Sequence, residues 1–168
     1  MPDLTIEVIF QDIKKVVSEA IVVGFFDDVR PLKGVAGQID WLLCGSLSRL
    51  LLKNKLRGSL GDVALISARH KIPAQKIFMV GLGSRSSFSF ATVRTAARIA
   101  AASVVGAGAS SMALEYISPH DTSLDACISA LREGLQEGVG AGRLAVSLLA
   151  PDQPAFEQIS QLVTERIA

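Results

Sequence analysis

The chain has 168 residues, 49% hydrophobic, 20% charged and 5% aromatic, which is enough to bury a core and fits the size of one α/β domain. Seventeen basic residues against sixteen acidic ones leave a net charge of +1, a balance that does not advertise a nucleic-acid or membrane surface. Two cysteines, Cys44 and Cys127, with no CxxC spacing, exclude a disulfide framework and read as buried thiols of a reducing compartment.

The opening "MPDLTIEVIF" is acidic and alternating, without the basic region and apolar run of a secretory signal. Residues 4–10 are predicted as a strand with Glu7 turned to water. "AIVVGFF" (20–26) is a continuous apolar run, the pattern of a central strand covered on both faces. "PLKGVAGQIDWLLCGSLSRLLL" (31–52) then passes through Gly34, Val35, Ala36 and Gly37 toward a helix. Over residues 38–54 its Ile39, Leu42, Leu43, Leu47, Leu50 and Leu51 recur at helical spacing. At 100° per residue, Trp41, Gly45, Ser48 and Leu52 align on the opposite face. That face is either covered by another part of the same chain or a contact surface for a partner subunit.

"DVALIS" (62–67) and "KIFMVGLG" (76–83) read as strands, followed by an alanine-rich helix over 88–105 with Arg94 and Arg98 four apart. "SMALEYI" (111–117) is a further strand. A helix over 122–138 presents Leu124, Cys127, Ile128, Leu131 and Leu135, with candidate caps at Asp121, Thr122 and Ser123. "RLAVSLLA" (143–150) is the last strand. A final segment beyond Pro151 and Pro154 carries Phe156, Ile159, Leu162, Val163 and Ile167. Strands alternating with helices predict an α/β chain: a three-layer α/β/α sandwich with a mixed, mostly parallel sheet of about six strands, residues 1–168 forming one domain. No apolar window approaches the roughly 20 residues of a membrane span, and the expected location is cytoplasmic.

Chemistry is sparse. His70 and His120 are 50 residues apart in predicted loops and read as solvated. Cys44 has no nucleophile context, and Asp27-Asp28 reads as a polar turn ending a strand. No catalytic or metal-binding residue is assigned. Two glycine-bearing stretches remain as anion candidates. One is Gly34–Gly37 at a helix mouth. The other is "VGLGSRSSF" (80–88), a strand, then Gly81, Gly83, Ser84 and Arg85, then a helix. It lacks the third glycine of GxGxxG and any GK[ST], so a tight strand-to-helix turn competes with ligand binding there.

Taken collinearly, several motifs resemble the N-terminal domain of leucyl (cytosol) aminopeptidases, peptidase family M17. They are Lys55-Leu56-Arg57-Gly58 after a helix, the strand closing in Val80-Gly81-Leu82-Gly83, Arg94-Thr95-Ala96-Ala97 in the next helix, and "ALREGLQEGVGAG". The resemblance spans about residues 4–150 and implies a macro-domain-like α/β/α sandwich. It also implies a chain that is no enzyme on its own. In the family two divalent metals are held by a separate C-terminal domain whose N-T-D-A-E-G-R-L signature does not occur in these residues, so no cofactor is expected here. The implied role is oligomer assembly or binding of a protein partner. The wider macro-domain resemblance implies an alternative, a nucleotide- or ADP-ribose-binding module using Gly34–Gly37 and Gly81–Arg85. "KGVAGQI" matches one diphosphate loop of that class. Gly24-Phe25-Phe26 stands where Asn-Ala-Asn is usual, however, and "APDQPAF" replaces the second glycine-rich loop.

Overall fold

A computed structural model describes residues 2–120 and 122–167. Within them, β1 (Asp3–Ile9), β2 (Ala20–Phe25), β3 (Val63–Ser67), β4 (Lys76–Gly81), β5 (Ser111–Glu115) and β6 (Arg143–Leu149) form one sheet in the order β1-β6-β5-β2-β4-β3. Every neighbouring pair is parallel except β3, which runs antiparallel to β4. The helices are α1 (Gly34–Leu42), α2 (Ser46–Leu52), α3 (Phe90–Gly106), α4 (Leu124–Val139) and α5 (Gln153–Ile167). Single 3-10 turns occupy Ile13–Lys15 and Arg85–Ser87. This is the mostly parallel α/β/α arrangement that the alternation of patterns predicts.

The apolar run of β2 is explained by its place. It is hydrogen-bonded to β4 on one side and β5 on the other, and its side chains enter two separate cores. Ala20 and Val22 join the cluster under α3, α4 and α5, while Ile21, Val23 and Phe25 join the cluster under α1 and α2. β1 instead alternates, with Glu7 on the exposed side, where its carboxylate accepts a hydrogen bond from Ser147 Oγ at 2.7 Å.

α3 and α4 meet backbone to backbone. A Cβ on Gly134 would lie 2.2 Å from the carbonyl oxygen of Arg94, and one on Gly138 would lie 2.3 Å from that of Arg98. The two glycines of α4 therefore let it settle onto the alanine face of α3, where Ala97 and Ala101 are buried. α3 starts with a reciprocal cap between Ser89 and Thr92. Of the three caps predicted for α4, Ser123 serves, accepting from the Ala126 N–H at 3.4 Å. Thr122 instead donates to the Pro119 carbonyl at 2.7 Å, and Asp121 lies outside the described residues. Asp152 caps α5 by accepting from the Ala155 N–H at 2.8 Å. Pro154 thus falls in the first turn, where a missing N–H costs nothing.

The expected continuous helix over 38–54 is corrected: it is two helices. Cys44 (φ 54°) and Gly45 (φ 75°) are left-handed, and the Gly45 N–H closes α1 by donating to the Asp40 carbonyl at 2.8 Å. The Asp40 carboxylate then accepts from the backbone N–H groups of Leu47 at 2.8 Å and Ser48 at 3.1 Å, and from Ser48 Oγ. An acid at the end of one helix caps the start of the next. The leucine spacing alone conceals this, because Leu43, Leu47 and Leu51 stay buried on either side of the break. Cys44 is exposed at that turn, contrary to the buried thiol expected; Cys127 is buried.

The glycine contacts set two opposite expectations for alanine substitution. Gly134→Ala drives a Cβ into the Arg94 backbone and is expected to destabilise the fold by about 2–3 kcal/mol. Gly106→Ala, where an added Cβ meets open space, is expected to be neutral or stabilising by about 0.5 kcal/mol. Urea unfolding of the two variants checks both signs.

Candidate functional site

The parallel ladders bring both glycine-bearing loops to the same end of the sheet. β2 ends at Phe25, β5 at Glu115 and β4 at Gly81. Beyond them opens a cleft of about 530 Å³, whose walls include Phe26, Lys33, Gly34, Arg85, Glu115 and His120. Clefts at the carboxyl ends of parallel strands are where α/β folds usually place ligands.

The first loop is the first turn of α1 rather than a turn preceding it. Gly34 (φ 58°) opens the helix, and Val35 and Ala36 are buried beneath it. Gly37 cannot carry a side chain, since a Cβ there would lie 2.6 Å from the Leu32 carbonyl oxygen. The N-cap residue, Lys33, supplies no side-chain cap. The acceptor comes from another strand: Glu115 at the end of β5 accepts the Val35 N–H at 3.1 Å. Its Oε1 would stand 2.3 Å from a Cβ on Gly34. The anion position at this helix mouth is thus filled by the chain's own carboxyl group. Burial raises the Glu115 pKa from its ordinary 4.5 to about 7, against the lowering effect of the Val35 N–H.

The second loop is similarly occupied. A Cβ on Gly81 would lie 2.1 Å from the Ser59 carbonyl oxygen, so this glycine admits the 58–59 segment across the end of β4. Gly83 is left-handed (φ 74°), and its N–H donates to the Gly58 carbonyl at 2.8 Å. The Arg85 N–H donates to both carboxylate oxygens of Asp28, at 3.0 and 3.2 Å. The Ser84 hydroxyl faces the hydroxyls of Ser86 and Ser87 within the turn, at 3.2 and 2.9 Å. The Arg85 guanidinium lies 5.2 Å from the centre of the Phe26 ring, and Phe26 meets Phe88 edge to face at 5.1 Å. Arg85 Nε and Nη2 both approach His120 Nε2, at 3.1 and 2.7 Å, so that nitrogen accepts from the guanidinium.

Three contributors are invisible to motif reasoning. Glu115 ends an apolar strand and belongs to no pattern; strand register alone brings it to α1. Asp28 reads as a turn residue and His120 as a solvated loop histidine, yet both engage Arg85. A weak signal exists for Glu115, since an acid closing the apolar "SMAL" run has to find a partner where the strand is covered. Among the described residues no three His, Cys, Asp or Glu side chains come together as metal ligands. Cys127 is buried, which pushes its thiol up and away from nucleophilic use.

The four residues expected on one helix face are distributed differently. Trp41 is 79% exposed near the end of α1 and Leu52 82% exposed at the end of α2. Gly45 makes the left-handed turn between the helices, and Ser48 is bonded to Asp40. Trp41 stands between two surface grooves: one of about 700 Å³ shared with Phe10, Gln38 and Glu115, and one of about 710 Å³ shared with Pro31 and Cys44.

Among known proteins, the family model for the N-terminal domain of the cytosol aminopeptidase family matches residues 22–139. A probable cytosol aminopeptidase of Cyanothece sp. is 35% identical over 83 residues, covering 49% of this chain and 17% of that protein. One from Alkaliphilus oremlandii is 28% identical over 91 residues, covering 54% and 18%. The chain therefore matches less than a fifth of the length of these relatives. Of solved structures, a mutant of tomato leucine aminopeptidase aligns with a TM-score of 0.72 at 20% identity, covering 97% of this chain and 36% of that one. A macrodomain of Oceanobacillus iheyensis with ADP aligns with a TM-score of 0.72 at 17% identity, covering 98% and 93%. At these identities the structures speak for the fold.

Glu115 makes stability depend on pH in a defined direction. Its pKa is higher in the fold than in the unfolded chain, so the folded state holds its proton more tightly. The resulting stabilisation is full below about pH 4.5 and is lost as pH rises to about 7. Relative to Glu115→Gln, the native chain is expected to lose about 2–3 kcal/mol across that window. Urea unfolding of both proteins at a series of pH values reads the difference.

Proposed function

Because this chain belongs to the cytosol aminopeptidase family through that family's N-terminal domain, we propose that it is a non-catalytic assembly module, joining copies of itself or a protein partner. The exposure of Trp41 carries the reading. A tryptophan 79% open near the end of α1, with grooves on both sides, is the kind of aromatic anchor that protein interfaces bury. The cleft supports the same reading from the other direction. The Val35 N–H already bonds Glu115 and the Arg85 N–H already bonds Asp28, so each loop gives an amide to the chain's own carboxyl groups where a phosphate would compete for it. On this reading the chain carries no peptidase chemistry of its own, and addition of manganese or zinc is expected to produce no turnover of a leucine amide.

Trp41→Glu is the test. Wild-type mass by light scattering is expected to rise with concentration, or in the presence of the partner, and the variant is expected to reduce that rise. A wild type that stays monomeric and binds no protein overturns the reading.

A second reading has one observation in its favour: the cleft of about 530 Å³ holds Lys33 and Arg85 beside two helix-mouth loops, the arrangement a nucleotide or ADP-ribose diphosphate needs. The Oceanobacillus macrodomain with ADP shares the fold. On this reading Glu115 is the obstacle, so ADP-ribose titrated calorimetrically binds Glu115→Gln more tightly than wild type. Micromolar binding to wild type establishes the module; no heat with either protein excludes it.

A further inference from the structure

The sheet has two open edges, and they are built differently. β1, at one end, carries Asp3 and Glu7, charges of the kind that keep edge strands from pairing. β3, at the other end, reads Val-Ala-Leu-Ile-Ser and has no charge, proline or bulge within it. Its hydrogen bonding to β4 fixes which groups are free. Asp62 O accepts from the Gly81 N–H at 2.8 Å and the Ala68 N–H donates to Gln75 O at 3.4 Å, so the even-numbered residues face β4. The N–H and C=O groups of Val63, Leu65 and Ser67 therefore point outward along the edge.

The same three residues share a face. Val63 and Leu65 stand opposite Val80 and Phe78, which are buried in the core under α3. Val63 and Leu65 are themselves 37% and 55% exposed. The apolar layer thus continues past the cover that α3 provides.

We infer that β3 is a self-pairing edge, through which two copies of this chain join antiparallel about a two-fold axis at Leu65. The inference rests on the assembly reading above and adds to it a second surface, distinct from the one Trp41 marks. The occupant follows from the strand's own pattern. With Leu65 on the axis, Val63 of each copy lies opposite Ser67 of the other, and the outward groups of all three residues find partners. The exposed Val63 and Leu65 of both copies then form one continuous apolar strip. Charge agrees with the antiparallel sense. Asp62 precedes the strand while Arg69 and Lys71 follow it, all outside the paired residues. The two-fold places Asp62 of one copy opposite Ala68 of the other and adjacent to its Arg69, twice over. A five-residue strand fits a reversible, concentration-dependent dimer rather than an obligate one.

The test is a sedimentation-equilibrium series on the whole chain. Leu65→Pro deletes an outward N–H and leaves the β4 ladder intact; it is expected to raise the dimer dissociation constant at least about tenfold. Asp62→Arg and Arg69→Asp are each expected to weaken dimerisation, and combining them to restore it, a rescue that damage to folding would not produce. In a Cys44→Ser background, Leu65→Cys on the axis is expected to give an oxidised covalent dimer, whereas Val63→Cys, facing Ser67, is not. If wild type dimerises but is insensitive to Leu65→Pro, to both charge reversals and to cysteine placement, β3 pairing is overturned and the Trp41 surface remains as the interface. If wild type is monomeric throughout and binds no protein, both readings fall.

Discussion

Two parallel ladders on the flanks of β2 decide where every group in the cleft sits. β2 holds β5 on one side and β4 on the other in fixed register. That register delivers Glu115 to the mouth of α1 and Arg85 to Asp28. The ladders are stable because each face of β2 is sealed by its own core, and few sheet positions are more costly to disturb than a strand buried on both sides. The cleft is therefore a by-product of the most rigid part of the molecule, and its occupants are placed by backbone pairing rather than by loop flexibility.

The two internal carboxylates solve a problem common to all helix mouths. The amides of a first helical turn need acceptors, and a domain that holds a ligand there can leave the task to the ligand. Here Glu115 reaches from a neighbouring strand to serve Val35, and Asp28 serves Arg85. Retaining a glycine-bearing loop therefore does not imply retaining its ligand. Gly37 and Gly81 are required for reasons of packing alone, against Leu32 and Ser59.

The layered fold was legible from the sequence because apolar periodicity reports burial, and burial is what distinguishes β2 from β1 or α3 from α4. The break between α1 and α2 was not legible. Leu43, Leu47 and Leu51 face the same core whether or not the helix is interrupted, and the interruption depends on one side chain, Asp40, choosing backbone amides ahead of it. Both glycine loops could be found by motif, but the groups that satisfy them could not. Glu115 lies 80 residues from Val35 in sequence, and nothing local in either stretch records the pairing. Contacts set by long-range register are the ones that local patterns omit.

The close seating of Gly134 and Gly138 on α3 has a mechanical consequence. Helices of 17 and 16 residues whose backbones touch move as one plate, and that plate backs one side of the sheet. The other side is covered by helices of nine and seven residues joined by a left-handed turn. Short helices depend on tertiary contacts for most of their persistence, so the two halves of the sandwich differ in how readily they open. Amide protons of α1 and α2 should exchange with solvent through local opening while those of α3 and α4 wait for the whole molecule to unfold. Whatever docks beside Trp41 would meet the yielding half of the protein, and the stiff half would keep the sheet in shape while it does.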